Sequence, residues 1–259
     1  HVYIDMNEIL HKILQSLGNS ADAERFMEAL ATRLDNLFQT ITPQKSVFFA
    51  IDGVAPAAKM YVQRARRRER ASSSKAAPKK GRGRKAIKKL STSANILTTN
   101  MLTPGLPVME QIAKALRKYC RENFGLAGTL LGRRHRTLPG GIRGIVSGAN
   151  LPGEGEYKMM SALADNSACR EDSHVILGSD SDLLIMPLGQ RKISKHIWVA
   201  KSLPKRTFSV CNVASLRQGL KLHRKRLCGW KADLISNGHL SLGERELQFR
   251  RDFIFVALL

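Results

Sequence analysis

Ser46-Val47-Phe48-Phe49-Ala50-Ile51-Asp52 is a short, nearly continuous apolar run that ends on a carboxylate. A strand covered on both faces, as in a parallel sheet, has this pattern. Val2-Tyr3-Ile4-Asp5 has the same form, again closing on Asp. Between them, Met6 to Leu17 reads as helix or helical turn, and Ser20 is placed to cap the next helix. Phe26, Met27, Leu30, Leu34, Leu37, Phe38 and Ile41 then recur at helical spacing, and Pro43 closes the segment. Strand, helix, strand predicts a parallel pair joined by a right-handed crossover. Asp5 and Asp52 would then leave the sheet at one carboxyl edge.

Further along, Gly144 to Ser147 and His174 to Gly178 read as strands, and Val108 to Tyr119 and Tyr157 to Leu163 as helices. Ile197-Trp198-Val199 and Phe208-Ser209-Val210 suit edge strands, Val213 to Leu222 suits a helix, and Glu244 to Leu259 suits a charged, then apolar, helix. The alternation predicts an α/β fold with a mostly parallel central sheet flanked by helices.

Two acidic turns follow predicted strands. Leu151-Pro152-Gly153-Glu154-Gly155-Glu156-Tyr157-Lys158 lies between a strand and a helix, where α/β proteins keep their sites. Residues two apart diverge on a helix but can share a side in an extended or turn segment. The glycines free the backbone for that approach. Ser179-Asp180-Ser181-Asp182 repeats the spacing after the His174 strand. Any one of these acids is as well explained as a helix cap or an arginine partner. Asp5, Asp52, Glu154, Glu156, Asp180 and Asp182 together, all at strand ends or adjoining turns, suit divalent metal. Oxygen-only ligands favour Mg²⁺, or Mn²⁺, over zinc. Two such ions about 4 Å apart suit in-line attack on a phosphodiester.

The charge balance points to the partner. Of 259 residues, 43 are Lys or Arg and 21 Asp or Glu, a net charge of +22. That excess calls for a polyanion, with nucleic acid first. From Arg64 to Lys89 there are 13 Lys or Arg and a single acid, Glu69. This low-complexity run is open to reading as an RNA tether, an import signal or a plain insert. Just before it, Pro56 suits a helix start, and Lys59, Gln63, Arg66 and Arg67 share one helical face. That face could grip a phosphate, but on its own an ordinary solvated basic face is the favoured explanation, since charged helix faces are common. Cys120, Cys169, Cys211 and Cys228 form no Cys-x-x-Cys pair, so neither zinc site nor disulfide framework is suggested. No apolar run approaches the roughly 18 residues a membrane span needs. The chain opens on His1 and stops inside apolar Phe253 to Leu259, and it reads as a fragment.

Several motifs, taken in order, resemble the Xrn family of 5′→3′ exoribonucleases. They are Tyr3-Ile4-Asp5-Met6-Asn7 with His11, Phe49-Ala50-Ile51-Asp52-Gly53-Val54-Ala55-Pro56 with Lys59-Met60, Thr103-Pro104-Gly105, Pro152-Gly153-Glu154-Gly155-Glu156, and Asp180-Ser181-Asp182-Leu183. The resemblance implies a PIN/FEN-like core over residues 1–259, with a basic insertion at about 68–96. It implies Mg²⁺-dependent degradation of 5′-monophosphorylated single-stranded RNA, in RNA decay or rRNA processing. Asp5, Asp52, Glu154, Glu156, Asp180 and Asp182 match the family's metal-binding and catalytic acids. Lys59, Gln63, Arg66 and Arg67 match its pocket for the 5′-monophosphate, and His11 matches the residue that stacks on the first base.

This sequence departs from the family pattern at Glu8 for glycine, Tyr157 for histidine and Ala57 for arginine. A further family acid and an aromatic stacking partner fall beyond Leu259. A second expectation is a degenerate member serving as an RNA-binding scaffold in a ribosome-assembly particle, and a third is a DNA flap nuclease. An intracellular setting is expected, the nucleus ahead of the cytoplasm, with an organelle left open.

Overall fold

The computed structural model describes residues 1–18, 21–57, 59–61, 64–65, 68–69, 97–124, 141–165, 171–189, 196–202 and 208–228. Its centre is β1 (Val2–Asp5), which pairs in parallel with β2 (Ser46–Ala50) on one side and β4 (His174–Leu177) on the other. Outside β2 lies β3 (Arg143–Ser147), and outside β4 lies β5 (Ile197–Ser202), both parallel to their neighbours. Antiparallel β6 (Phe208–Asn212) completes the order β3-β2-β1-β4-β5-β6. The sheet is therefore mostly parallel, as the sequence implied. One expectation is corrected. β5 is an interior strand bonded on both sides, and only β6 closes that edge. An apolar run such as Ile197-Trp198-Val199 does not reveal how many neighbours it has.

Helices cover both faces, and alternation along each strand supplies the two cores. α1 (Met6–Leu17), α2 (Ala23–Thr40) and α3 (Pro107–Phe124) pack on the face that receives Val2, Ile4, Val47 and Phe49. α4 (Gly155–Asp165), α5 (Asp182–Gly189) and α6 (Val213–Cys228) lie on the face that receives Tyr3, Ala50 and Ile176. Phe38 of α2 anchors the first core, with ring centroids 6.3 Å from Phe49, 6.2 Å from Tyr119 and 5.4 Å from Phe124. Such pairs add about 0.5–1.5 kcal/mol each beyond area burial.

Asp22, not Ser20, caps α2: its side chain accepts from the Arg25 N–H at 2.8 Å, and Ser20 lies outside the described residues. The expected helix at 244–259 and most of the basic insertion also lie outside them. Among the described residues no helix is long and apolar enough to cross a membrane.

Chain order and strand order together place the site. From β1 the chain builds outward through β2 and β3, then returns to β4 on the other side of β1. The crevice at such a reversal, outside the carboxyl ends, is where open α/β sheets bind ligands. Asp5 ends β1, and Asp180 follows β4 directly across that crevice.

Candidate active site

Asp5 has two local tasks. It ends β1 and caps α1, its Oδ1 accepting from the Asn7 N–H at 3.0 Å. Asn7 in turn offers its Oδ1 to the Asp52 N–H at 3.3 Å. Asp52 follows β2, and its Oδ1 accepts from the Gly155 N–H, at the start of α4, at 2.6 Å. A Cβ built on Gly155 would lie 3.2 Å from Asp52 Oδ1 and 3.5 Å from Asp5 Oδ1. The start of α4 is thus seated directly against both aspartates.

The loops that deliver these groups are zipped together. Gly53 N–H donates to Gly153 O at 2.9 Å, and Gly153 N–H donates to Val54 O at 2.9 Å. Gly153 has φ of 100°, the left-handed region that glycine tolerates. Gly53 has no room for a side chain, since a Cβ there would fall 1.8 Å from Leu151 O.

Glu156, Asp180 and Asp182 each place a carboxylate oxygen within 4.8 Å of the others. The electrostatics agree with that crowding. Burial first, then the charges of Asp180, Asp182 and Asp5, push the Glu156 carboxyl up to about 8. Burial, then Asp52, push Asp5 up to about 7, with Glu8 and Asp180 adding to the effect. Burial, together with the charge of Glu154, also raises Asp52, against the pull of the Gly155 N–H and the Lys158 ammonium. All six expected acids are therefore electrostatically linked at the sheet's carboxyl edge. The donor set is all oxygen, and its mutual repulsion is what a divalent cation relieves. These residues fit such an ion.

Glu154 also holds a cation. Its Oε2 accepts from Lys59 Nζ at 2.7 Å, and that hydrogen bond is the main reason the Lys59 ammonium is raised. Glu154 immediately precedes α4, and besides pairing with Lys59 its charge acts on Asp52. Of that face Lys59 is described, while Gln63, Arg66 and Arg67 lie outside the described residues. His11 lies on α1, partly buried.

A family model described as the XRN 5′-3′ exonuclease N-terminus matches residues 1–201. The chain belongs to this family. Curated Xrn relatives agree. A Drosophila melanogaster protein named 5′-3′ exoribonuclease 2 homolog is 30% identical over 231 residues, 82% of this chain and 24% of its own. The 5′-3′ exoribonuclease 1 of Saccharomyces cerevisiae is 30% identical, covering 88% of this chain and 15% of its own. The 5′-3′ exoribonuclease 2 of Arabidopsis thaliana is 32% identical, covering 74% and 20%. The chain thus spans about a quarter or less of each of these relatives.

Within this Xrn chain, three residues matter that the sequence reading gave no role. Asn7 bridges β1 and β2 through Asp5 and Asp52. Glu8, noted only as a departure from glycine, accepts from Ser179 Oγ and from Lys12 Nζ, which ties α1 to the loop before Asp180. Lys158 is buried beneath the acidic turn. Its signal was available, as a cation two residues after Glu156 in a run of acids.

Proposed function

We propose that this chain is the catalytic core of a 5′→3′ exoribonuclease, one unit over 1–259 with a basic insertion at about 68–96. The observation that carries the reading is the meeting of two chemistries at one edge. Glu156, Asp180 and Asp182 stand within 4.8 Å of one another, and Lys59 pairs with Glu154 one residue before α4.

In this reading Asp5, Asp52, Glu154, Glu156, Asp180 and Asp182 hold two divalent ions, Mg²⁺ or Mn²⁺. When bound, the ions would acidify the attacking water and steady the leaving oxygen. Lys59 with Gln63, Arg66 and Arg67 grips the 5′-monophosphate, and His11 stacks on the first base. The phosphate fixes the strand's end, so the first phosphodiester lies over the acids and cleavage releases one nucleotide. The chain's net charge of +22 draws in RNA, while the acid cluster keeps phosphates off the edge until cations bridge them. Nuclear RNA decay or rRNA processing is the setting this reading favours.

The test is nucleotide release from 5′-monophosphate single-stranded RNA with Mg²⁺. Asp180→Ala should cut kcat by about 100-fold or more, since a metal supplies several kcal/mol of transition-state stabilisation. Equal release by the variant, or none by the wild type, would refute it. Retained RNA binding without any release would favour the scaffold reading instead.

A further inference from the structure

Lys158 is the one lysine or arginine among the described residues that is buried, at 7% exposure. Its Nζ donates to Ile51 O at 2.8 Å and to Gly148 O at 2.9 Å. These carbonyls lie just past the paired ends of β2 and β3, where Ile51 N–H makes a last ladder-type bond to Ser147 O at 3.0 Å. Beyond that bond one segment runs into Asp52 and the other into the loop that rejoins it at Gly153, just before Glu154 and Glu156.

We propose that Lys158 is a positioning residue of the acidic site: its ammonium ties the segments after β2 and β3 to the first turn of α4, and so sets Asp52 against the carboxylates that α4 carries. The proposal rests on the exonuclease reading for its consequence, but its geometry stands alone. Asp52 is held at three points, by Asn7 at its N–H, by Gly155 N–H at its carboxylate and by Lys158 at the carbonyl just before it. Two of the three restraints come from the first turn of α4, and Lys158 is the only side chain among the three donors and acceptors that carries a charge.

The chemistry suits lysine. A buried carbonyl needs a donor, and an ammonium offers three N–H groups on one atom at the end of an apolar stem. An ammonium can therefore bend to carbonyls on two separate segments, which a planar guanidinium fork does less well. Its charge also stands beside Asp52 and offsets part of the repulsion there. Burial holds the Lys158 ammonium below its usual range, and Asp52 pulls the other way. Nothing in the arrangement presents Lys158 to substrate, so it acts through Asp52 and α4.

The experiment compares wild type and Lys158→Met in the full chain by Mn²⁺ titration, with free Mn²⁺ read by electron paramagnetic resonance, and by kinetics on 5′-monophosphate RNA. Loss of an outer partner of metal ligands costs about 10–100-fold. Mn²⁺ affinity and kcat should both fall by that factor, with KM for RNA little changed. A purely structural role would lower the melting temperature and leave the affinity of the folded fraction intact.

Unchanged Mn²⁺ affinity in Lys158→Met overturns the proposal, whatever its activity. If the Met variant does not fold, Lys158→Gln, which keeps two N–H donors, is judged by the same measure. If neither folds, Lys158 holds the fold and not the site, and the proposal fails. A wild type that binds Mn²⁺ but releases no nucleotide removes the exonuclease reading and leaves this one standing.

Discussion

Glu156→Gln should stabilise the metal-free protein and destabilise it relative to wild type once metal is added. The Glu156 carboxyl is raised from 4.5 to about 8, with burial first and then Asp180, Asp182 and Asp5 as causes. A group whose folded pKa is raised keeps its proton in the fold after the unfolded chain has lost it. Stability therefore falls as pH rises from about 4.5 and levels off above pH 8. Glu156 is only partly buried, so solvent screening holds the penalty at pH 7 to about 1–2 kcal/mol. Gln has nearly the same shape, can donate to Asp180 and carries no charge, so it removes the penalty.

For a chain of this size, about 1–2 kcal/mol corresponds to a rise of roughly 2–8 °C in melting temperature. Saturating Mg²⁺ reverses the order, since wild type gains about 2.7 kcal/mol at a hundredfold excess over Kd. The assay is scanning calorimetry of both proteins at pH 4.5 and pH 8, in EDTA and in Mg²⁺. The variant's advantage should be absent at pH 4.5, present at pH 8 in EDTA, and lost with Mg²⁺. A variant less stable than wild type at pH 8 in EDTA would refute the reasoning. It would mean that the carboxylate is held by structure rather than crowded by its neighbours.

Other consequences follow from single contacts. Lys59→Ala removes the ammonium now bonded to Glu154 at 2.7 Å. The loss of one charge-assisted bond, about 1.5–3 kcal/mol, should raise KM for 5′-monophosphate RNA by roughly 10–100-fold and leave 5′-hydroxyl RNA almost unaffected. Gly53→Ala would force a Cβ to 1.8 Å from Leu151 O, a backbone atom that cannot rotate aside. It should cost about 1–3 kcal/mol in urea unfolding and weaken the response to metal, because Asp52 is the neighbouring residue.

Much of this fold was legible because parallel strands advertise themselves. Val2 to Asp5 and Ser46 to Ala50 are apolar on both faces, and their carboxyl ends fix where Asp5 and Asp52 emerge. The strand order was not legible. Nothing in His174-Val175-Ile176-Leu177 says that it pairs with β1 rather than with β3, and that pairing brings Asp180 across the crevice from Asp5. Interior and edge strands also read alike, which is why β5 was misplaced. The acids announced themselves as a group through their recurring two-residue spacing. Their partners did not, because Asn7, Glu8 and Lys158 owe their roles to contacts between distant segments.

That two-residue spacing straddles a helix start, since α4 begins between Glu154 and Glu156 at Gly155. Glu156 meets Asp180 and Asp182, while Glu154 meets Lys59. One turn of backbone thus serves both halves of the proposed chemistry, the metal acids and the phosphate grip. In that proposal both halves act on one nucleotide, whose 5′-phosphate and first phosphodiester lie a fixed distance apart. A rigid helix start keeps that distance better than two independent loops would. The same logic explains why the turn is braced by Gly53, Gly153 and Lys158, none of which reaches the edge itself: a shift of α4 would displace both sites at once.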